Sequence, residues 1–189
     1  VIGGQTGCGK TILLNKFENS LDLEGFANHR GSAFGNNVSP QPKQIDFENH
    51  LIAKLIEKES SKFLLIEDEG NNIGTINIPE AIKLKARESK IVILKASIED
   101  RVKISLQAYV IEMLEKFTIQ DSVNGYENFS NYWFNSLFKI QKRLGGARYQ
   151  SLLKQLNAAL NKYKNNHDLS DFLPLIESLL VDYYDPMYD

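Results

Sequence analysis

An α/β fold built on a parallel sheet is predicted by three features of the 189-residue chain. Gly4-Gln5-Thr6-Gly7-Cys8-Gly9-Lys10-Thr11 fits G-x-x-x-x-G-K-[ST], a phosphate-cradling P-loop, between the apolar pair Val1-Ile2 and a helix-spaced run at Ile12, Leu13, Leu14 and Phe17. Helical periodicity then alternates with short continuous apolar runs, as strands buried on both faces require. After Asp121 no strand pattern follows, and the chain reads as helices. The predicted architecture is a P-loop NTPase-like parallel sheet flanked by helices, with a helical subdomain in the C-terminal half. One domain is expected over 1–189: an α/β core with the phosphate site (1–97), a helical lid or subdomain (98–168), and a C-terminal helix and truncated end (169–189).

The first helix is expected over residues 10–19. Residues 22–35 alternate polar, small and glycine residues too closely for a helix or a long strand, and Pro40-Gln41-Pro42 prolongs the loop. A long irregular segment in a compact domain is usually functional or disordered; its Asn, His, Arg and Ser content favours function. Residues 44–59 read as a helix whose buried side carries Ile45, Leu51, Leu55 and Ile56. Residues 62–66 form a short buried strand ending in Glu67-Asp68-Glu69, which resembles a Walker B segment. Pro79 suits the first turn of a helix reaching Ser89. Residues 91–94 read as a strand covered on both faces, and 98–117 as a long amphipathic helix carrying Arg101. Three more helices are expected over 128–143, 146–163 and 169–184, separated at Gly145-Gly146 and Asn165-Asn166.

Composition narrows the class. Hydrophobic residues make up 42% of the chain, enough for a well-cored domain. The chain starts at Val1, which reads as lying inside a strand, so it is expected to be a piece of a longer protein. No apolar run is long enough to span a membrane, and no signal-peptide pattern opens it. Cys8 is the sole cysteine, which excludes an internal disulfide and fits a reducing, cytoplasmic setting. A net charge of −2 confines any nucleic-acid site to a local patch.

In the P-loop, Gly4, Gly7, Cys8 and Gly9 leave backbone N–H groups facing an anion. Lys10 would hold terminal phosphate oxygens, and the Thr11 hydroxyl would ligate Mg²⁺ if a metal is used. Asp68 is the expected Walker B carboxylate for that metal. Arg30, Arg101, Arg143 and Arg148 are candidate phosphate clamps, because guanidinium binds phosphate bidentately. Arg143 and Arg148 flank Gly145-Gly146, which suits a mobile lid. Asn28 and Ser32 would add hydrogen bonds around the ligand, and His29 could orient a phosphate or base or act as general base. Each of these polar residues also has a plain structural reading, as a solvated arginine or as loop scaffolding. Cys8 reads as a small residue fitting a tight loop. Tyr126, Phe129, Tyr132, Trp133, Phe134 and Phe138 could line an apolar pocket, stack on nucleotides, or pack a helix core, and their spacing favours core. Lys139, Lys142, Arg143 and Arg148 could make a basic patch for nucleic-acid phosphate.

The P-loop, Asp22-Leu23-Glu24-Gly25, the run from Ala27 to Gly35, Pro40-Gln41-Pro42, Phe47-Glu48-Asn49, Glu67-Asp68-Glu69, Arg143-Leu144-Gly145-Gly146 and residues 183–188 follow one another in order. Together they resemble the C-terminal P-loop domain of bacterial tRNA 2-selenouridine synthases, over nearly the whole chain. Gly70 departs from the pattern, where Ser is expected after the acids. The resemblance implies an N-terminal rhodanese domain bearing a catalytic cysteine, absent from this sequence. It implies a transferase that replaces the 2-thio sulfur of a wobble uridine in tRNA by selenium from selenophosphate, through S-geranylation from geranyl diphosphate. Lys10, Arg30 and Asp68 are then the expected catalytic residues. Without the rhodanese cysteine this chain alone is expected not to exchange sulfur for selenium. Two other functions stay open: an ATP- or GTP-hydrolysing or kinase-like domain using Lys10, Thr11, Asp68 and Mg²⁺, and a non-catalytic tRNA-docking module.

Overall fold

The computed structural model describes residues 1–188. They form two units, the first made of Val1–Gly4 and Cys8–Lys95, the second of Gln5–Gly7 and the residues from Ala96 onward.

In the first unit, β1 (Ile2–Gly3) pairs in parallel with the strand Val92–Ile93, and β2 (Ser20–Leu21) with β3 (Leu65–Ile66). A parallel bridge between Ile2 and Glu67, with the Asp68 N–H donating to the Ile2 carbonyl at 2.8 Å, joins the two pairs. The result is a row of four short parallel strands with β1 and β3 at its centre. A hairpin of β4 (Asn72–Ile73) and β5 (Ile76–Asn77) turns at Gly74, whose φ is +59°. The strand Val92–Ile93 is β6.

Helix α1 (Lys10–Leu14) is shorter than its apolar spacing predicted and continues only as turns to Phe17. The segment read as irregular contains a helical turn, α2 (Leu23–Phe26), capped by Asp22, which accepts from the Gly25 N–H at 2.7 Å. Two glutamines order the rest of the loop by imitating strand pairing. The Gln41 side chain donates to the Ala27 and Ile73 carbonyls at 3.0 Å and accepts from the Thr75 N–H at 2.8 Å. Gln44 exchanges bonds with the Asn77 backbone, both at 2.9 Å.

The apolar stripe of α3 (Gln44–Glu57) runs through Phe47 and Leu51, with Leu55 beside it. Of the predicted stripe, Leu51 and Leu55 do face the core, whereas Ile45 and Ile56 are 57% and 64% exposed. Phe47 and Leu51 pack with Leu21, Leu23, Ala27, Ile73, Ile76 and Ile78, the core of this unit. Helix α4 (Glu80–Arg87) buries no residue. The strand predicted to be covered on both faces is instead an open edge, with Ile91, Val92 and Ile93 all at least half exposed.

The second unit is helical. Helix α5 (Ile98–Leu106) is capped by Ser97, which accepts from the Asp100 N–H at 3.1 Å. The predicted single helix over 98–117 is broken by a π-helical turn, Gln107–Ile111, before α6 (Glu112–Gln120). Then follow α7 (Gly125–Leu144), α8 (Gly146–Asn166) and α9 (Phe172–Leu179). Gly145, at φ +78°, makes the one-residue break between α7 and α8. Each of α6, α7 and α8 packs on the next helix in sequence, and α9 also packs on α5. Phe129, Trp133 and Phe172 form the aromatic centre, with Trp133 and Phe172 rings 5.4 Å apart. The aromatic stretch of α7 is therefore chiefly packing; of its members Phe138 is exposed. Among the described residues, no helix is long and apolar enough to cross a membrane.

Candidate functional site

The P-loop takes left-handed or otherwise glycine-only conformations at Gly4 (φ +146°), Gly7 (+80°) and Gly9 (+88°). A side chain on Gly4 would lie 2.5 Å from the Leu94 carbonyl and 2.7 Å from the Cys8 sulfur. Cys8 is buried and fills the space behind the loop, as its size suggested. Lys10 sits in the first turn of α1 and donates to the Gly4 carbonyl at 3.1 Å, folding its ammonium back across the loop.

Three carboxylates stand beside Lys10. Glu24, Glu67 and Glu69 each place an oxygen within 4.8 Å of the other two. The bridge to Ile2 fixes Glu67 in extended backbone, so alternation sends Glu67 and Glu69 to one side and Asp68 to the other. Glu67 is 2% exposed, with the Thr11 hydroxyl and the Glu69 carboxyl as its side-chain partners. The Thr11 hydroxyl donates to Glu24 at 3.4 Å. Burial pushes the Glu24 carboxyl up to about 9, reinforced by Glu67 and Glu69 and opposed by Lys10. Burial and the Glu67 charge push Glu69 up to about 7. Burial also raises Glu67, with Thr11 and Lys10 pulling the other way.

This overturns one expectation. Asp68 is exposed and lies outside the cluster; the acids that the fold brings to Thr11 and Lys10 are its two neighbours and Glu24. Glu24 escaped the sequence reading because nothing local to Leu23-Glu24-Gly25 marks it as facing a strand 43 residues away.

The Asn28–Ser32 segment reaches the same place. Asn28 turns the chain at φ +49°, and the Arg30 N–H closes a tight loop on the Gly35 carbonyl at 2.9 Å. Gly31, at φ +62°, lies at its tip. A side chain there would be 2.6 Å from a Glu24 oxygen and 3.1 Å from a Glu69 oxygen. Backbone at Gly31 thus presses against the carboxylates, with Arg30 half-buried next to it. Two residues expected to touch ligand serve the loop. The Asn28 amide donates to Ser39 and to the Pro40 carbonyl and accepts from Asn37 at 2.7 Å. The Ser32 hydroxyl accepts from the Phe34 N–H at 3.2 Å. His29 is buried beneath this loop and bridges to Asn36.

In the second unit, Arg101 is buried and its guanidinium is held by Asp185 through both terminal nitrogens. Its Nε donates to the Thr6 carbonyl at 2.9 Å and one terminal nitrogen to the Gln5 side chain at 3.2 Å. A clamp role for Arg101 is therefore replaced by a structural one, holding the P-loop apex. Arg143 donates to the Met187 sulfur at 2.8 Å and lies 5.8 Å from the Tyr183 ring centre. Arg148 is exposed in the first turn of α8. A cleft of about 490 Å³ between α6 and α7 is lined by Phe117, Tyr132, Gln120, Asn128, Asn131 and Asn135, among others.

Comparison with known proteins agrees with the motifs. Over residues 1–189 the chain matches the family described as tRNA 2-selenouridine synthase AAA domain. It is 42% identical over 192 residues to a tRNA 2-selenouridine synthase of Marinobacter nauticus and 42% over 191 residues to one of Sulfurovum sp.. One from Pseudomonas aeruginosa is 43% identical over 192 residues. Each alignment takes in 100% of this chain and 52% of the relative. The chain thus spans about half the length of the curated relatives it matches. No solved structure matches it. A P-loop domain fitted with this carboxylate cluster and matched from end to end by one family leads to a plain assignment: the chain belongs to the tRNA 2-selenouridine synthase AAA-domain family.

Proposed function

We propose that this chain is the diphosphate-binding part of a tRNA 2-selenouridine synthase, a transferase acting on the 2-thiouridine at the wobble position of tRNA. Its P-loop ligand is geranyl diphosphate. The observation that carries this reading is the meeting of the P-loop lysine, three carboxylates and the Arg30 loop in one unit. Nothing in a P-loop demands a purine, since the cradle recognises phosphate oxygens through backbone N–H groups. In the reaction, the 2-thio sulfur attacks the allylic carbon of the geranyl group. The carbon–oxygen bond breaks, and its electron pair leaves with the diphosphate. The thiouridine ring gives up its N3 proton as the sulfur is alkylated. Lys10, the loop N–H groups and Arg30 stabilise charge on the departing oxygens. Replacement of the alkylated sulfur by selenium from selenophosphate then requires the rhodanese half implied by the family's pattern.

Binding of geranyl diphosphate and of ATP is measured by calorimetry on the intact protein and its Lys10→Ala variant. Geranyl diphosphate is expected to bind more tightly than ATP. Removing one charge-assisted contact costs about 1.5–3 kcal/mol, so the variant loses roughly ten- to 150-fold in affinity. Equal affinity in the variant refutes the phosphate site. Preference for ATP moves the assignment to a nucleotide-hydrolysing domain.

A further inference from the structure

One face of α7 carries a pattern that helix packing does not call for. Asn128, Asn131, Asn135, Lys139 and Lys142 fall within about 80° of one another around the helix, at 3.6 residues per turn, and all five are exposed. Asparagine is a poor residue for a helix interior, because its side chain competes with the backbone for hydrogen bonds. In α8 Asn157 does compete, its amide donating to the Leu153 carbonyl at 2.7 Å. The three carboxamides of α7 do not, and among the described residues none of them is bonded to a protein group. They line the cleft of about 490 Å³ between α6 and α7, together with Gln120 of α6. Phe117 and Tyr132, with ring centres 5.7 Å apart, give that cleft an apolar floor. A cleft of this size with an aromatic floor and a few polar groups is built like a site for a small planar ligand.

We infer that this face of α7 binds unpaired RNA, with nucleobases in the carboxamide cleft and the strand's phosphates on Lys139 and Lys142. A carboxamide offers an acceptor oxygen beside a two-proton donor. That pair matches the edge of a base, as Asn and Gln do with adenine. Proteins read RNA chiefly in unpaired segments, whose bases are splayed from the stack and rest on aromatic rings. Phe117 and Tyr132 supply such rings here. Asp121 sets the direction. It lines the cleft just before α7, and its carboxylate already accepts from the Val123 and Asn124 N–H groups and from the Asn124 amide. Its fixed negative charge disfavours phosphate at that end, whereas the two lysines lie further along the helix. From Asn128 to Lys142 the stripe runs about 21 Å at 1.5 Å per residue, long enough for several nucleotides of an extended strand. The inference takes from the proposed function only that tRNA is the substrate, and adds where an unpaired loop of it is read.

The test is fluorescence anisotropy on the intact protein with two labelled RNAs, an anticodon stem-loop and the same loop sequence closed into a duplex. The double variant Asn131→Ala, Asn135→Ala is expected to bind the stem-loop at least tenfold more weakly, with its salt dependence unchanged. Alanine is the better helix residue, so the helix is retained, and circular dichroism checks it. Should that pair fail to fold, Asn128→Ala alone carries the test, with the same outcome expected. Replacing Lys139 and Lys142 by Ala should reduce the slope of log affinity against log salt by about 1.4, the share of two phosphate contacts on a single strand. Asn157→Ala, on α8, should bind as the wild type does. Unchanged stem-loop affinity in the folded asparagine variant overturns the site, as does an equal loss in Asn157→Ala or a preference of the wild type for the duplex. Calorimetry with geranyl diphosphate tests the proposed function separately. A protein that binds the stem-loop through α7 and no geranyl diphosphate keeps this inference and loses that ligand. One that binds geranyl diphosphate and no stem-loop keeps the ligand and loses this inference.

Discussion

At the scale of single residues, Gly31 joins fold and site most tightly. Its φ of +62° costs a residue with a Cβ about 1–2 kcal/mol, and the added carbon would meet Glu24. Gly31→Ala is therefore expected to lower stability by at least about 1 kcal/mol in urea denaturation. Arg30 beside it makes a complementary prediction. Arg30→Ala should weaken diphosphate binding by about 1.5–3 kcal/mol, the scale of a charged hydrogen bond, measured by calorimetry together with the melting temperature. A large fall in melting temperature with affinity intact would make Arg30 part of the scaffold. The acids themselves set a pH dependence. Glu24 and Glu69 have folded-state values raised to about 9 and about 7 from an ordinary 4.5, so the folded state holds protons that the unfolded chain releases. Their contribution is full below pH 4.5 and is lost as pH rises through 7 and toward 9. With chelator present, thermal melting should fall across that window; a Glu24→Gln, Glu69→Gln double variant should flatten the slope.

At the scale of elements, the P-loop apex depends on α5 and on the turn at Asp185. Arg101 reaches Gln5, Thr6 and Asp185 at once, and a side chain on Gly7 would collide with Ser105 of the same helix. Taking one partner from a buried ion pair leaves the other without compensation. Asp185→Ala is expected to cost about 3 kcal/mol, the lower end for such pairs because Asp185 keeps some contact with solvent. Denaturant unfolding followed by circular dichroism measures it, and a cost under about 0.5 kcal/mol would return Arg101 to the list of ligand clamps. The edge strand β6 shows the opposite case. Ile91 and the two residues of β6 match a buried strand in composition, yet among the described residues β6 has β1 on one side and no strand on the other. Composition records what a strand would bury, and neighbours decide whether it does.

At the scale of the whole molecule, each unit has its own core, aliphatic side chains around Phe47 in the first and an aromatic cluster in the second. Trp133 is the only tryptophan and lies 2% exposed in the aromatic centre. Its emission is expected to be blue-shifted and to report unfolding of the helical unit alone. Phe129→Ala, which empties a site beside it, should destabilise that unit by about 3–5 kcal/mol. If Trp133 emission is already that of solvated indole in the native protein, the aromatic stretch would be a binding surface after all.

The sequence by itself determined the P-loop, the helical character of the second half, and the family. Each is written in contiguous residues, because a phosphate cradle uses successive backbone N–H groups and helices repeat locally. What only the tertiary structure decided is which acids stand beside Thr11 and Lys10, what Arg101 holds, and which apolar faces are covered. Asp68 and Glu67 are indistinguishable in composition. The bridge between Ile2 and Glu67 sets the strand's phase, and a shift of one residue would exchange inside for outside. Glu24 and Gly31 meet Glu69 across about 40 residues of chain, and Arg101 meets Asp185 across 84. Such pairings depend on how distant segments pack, so no local pattern in the sequence records them.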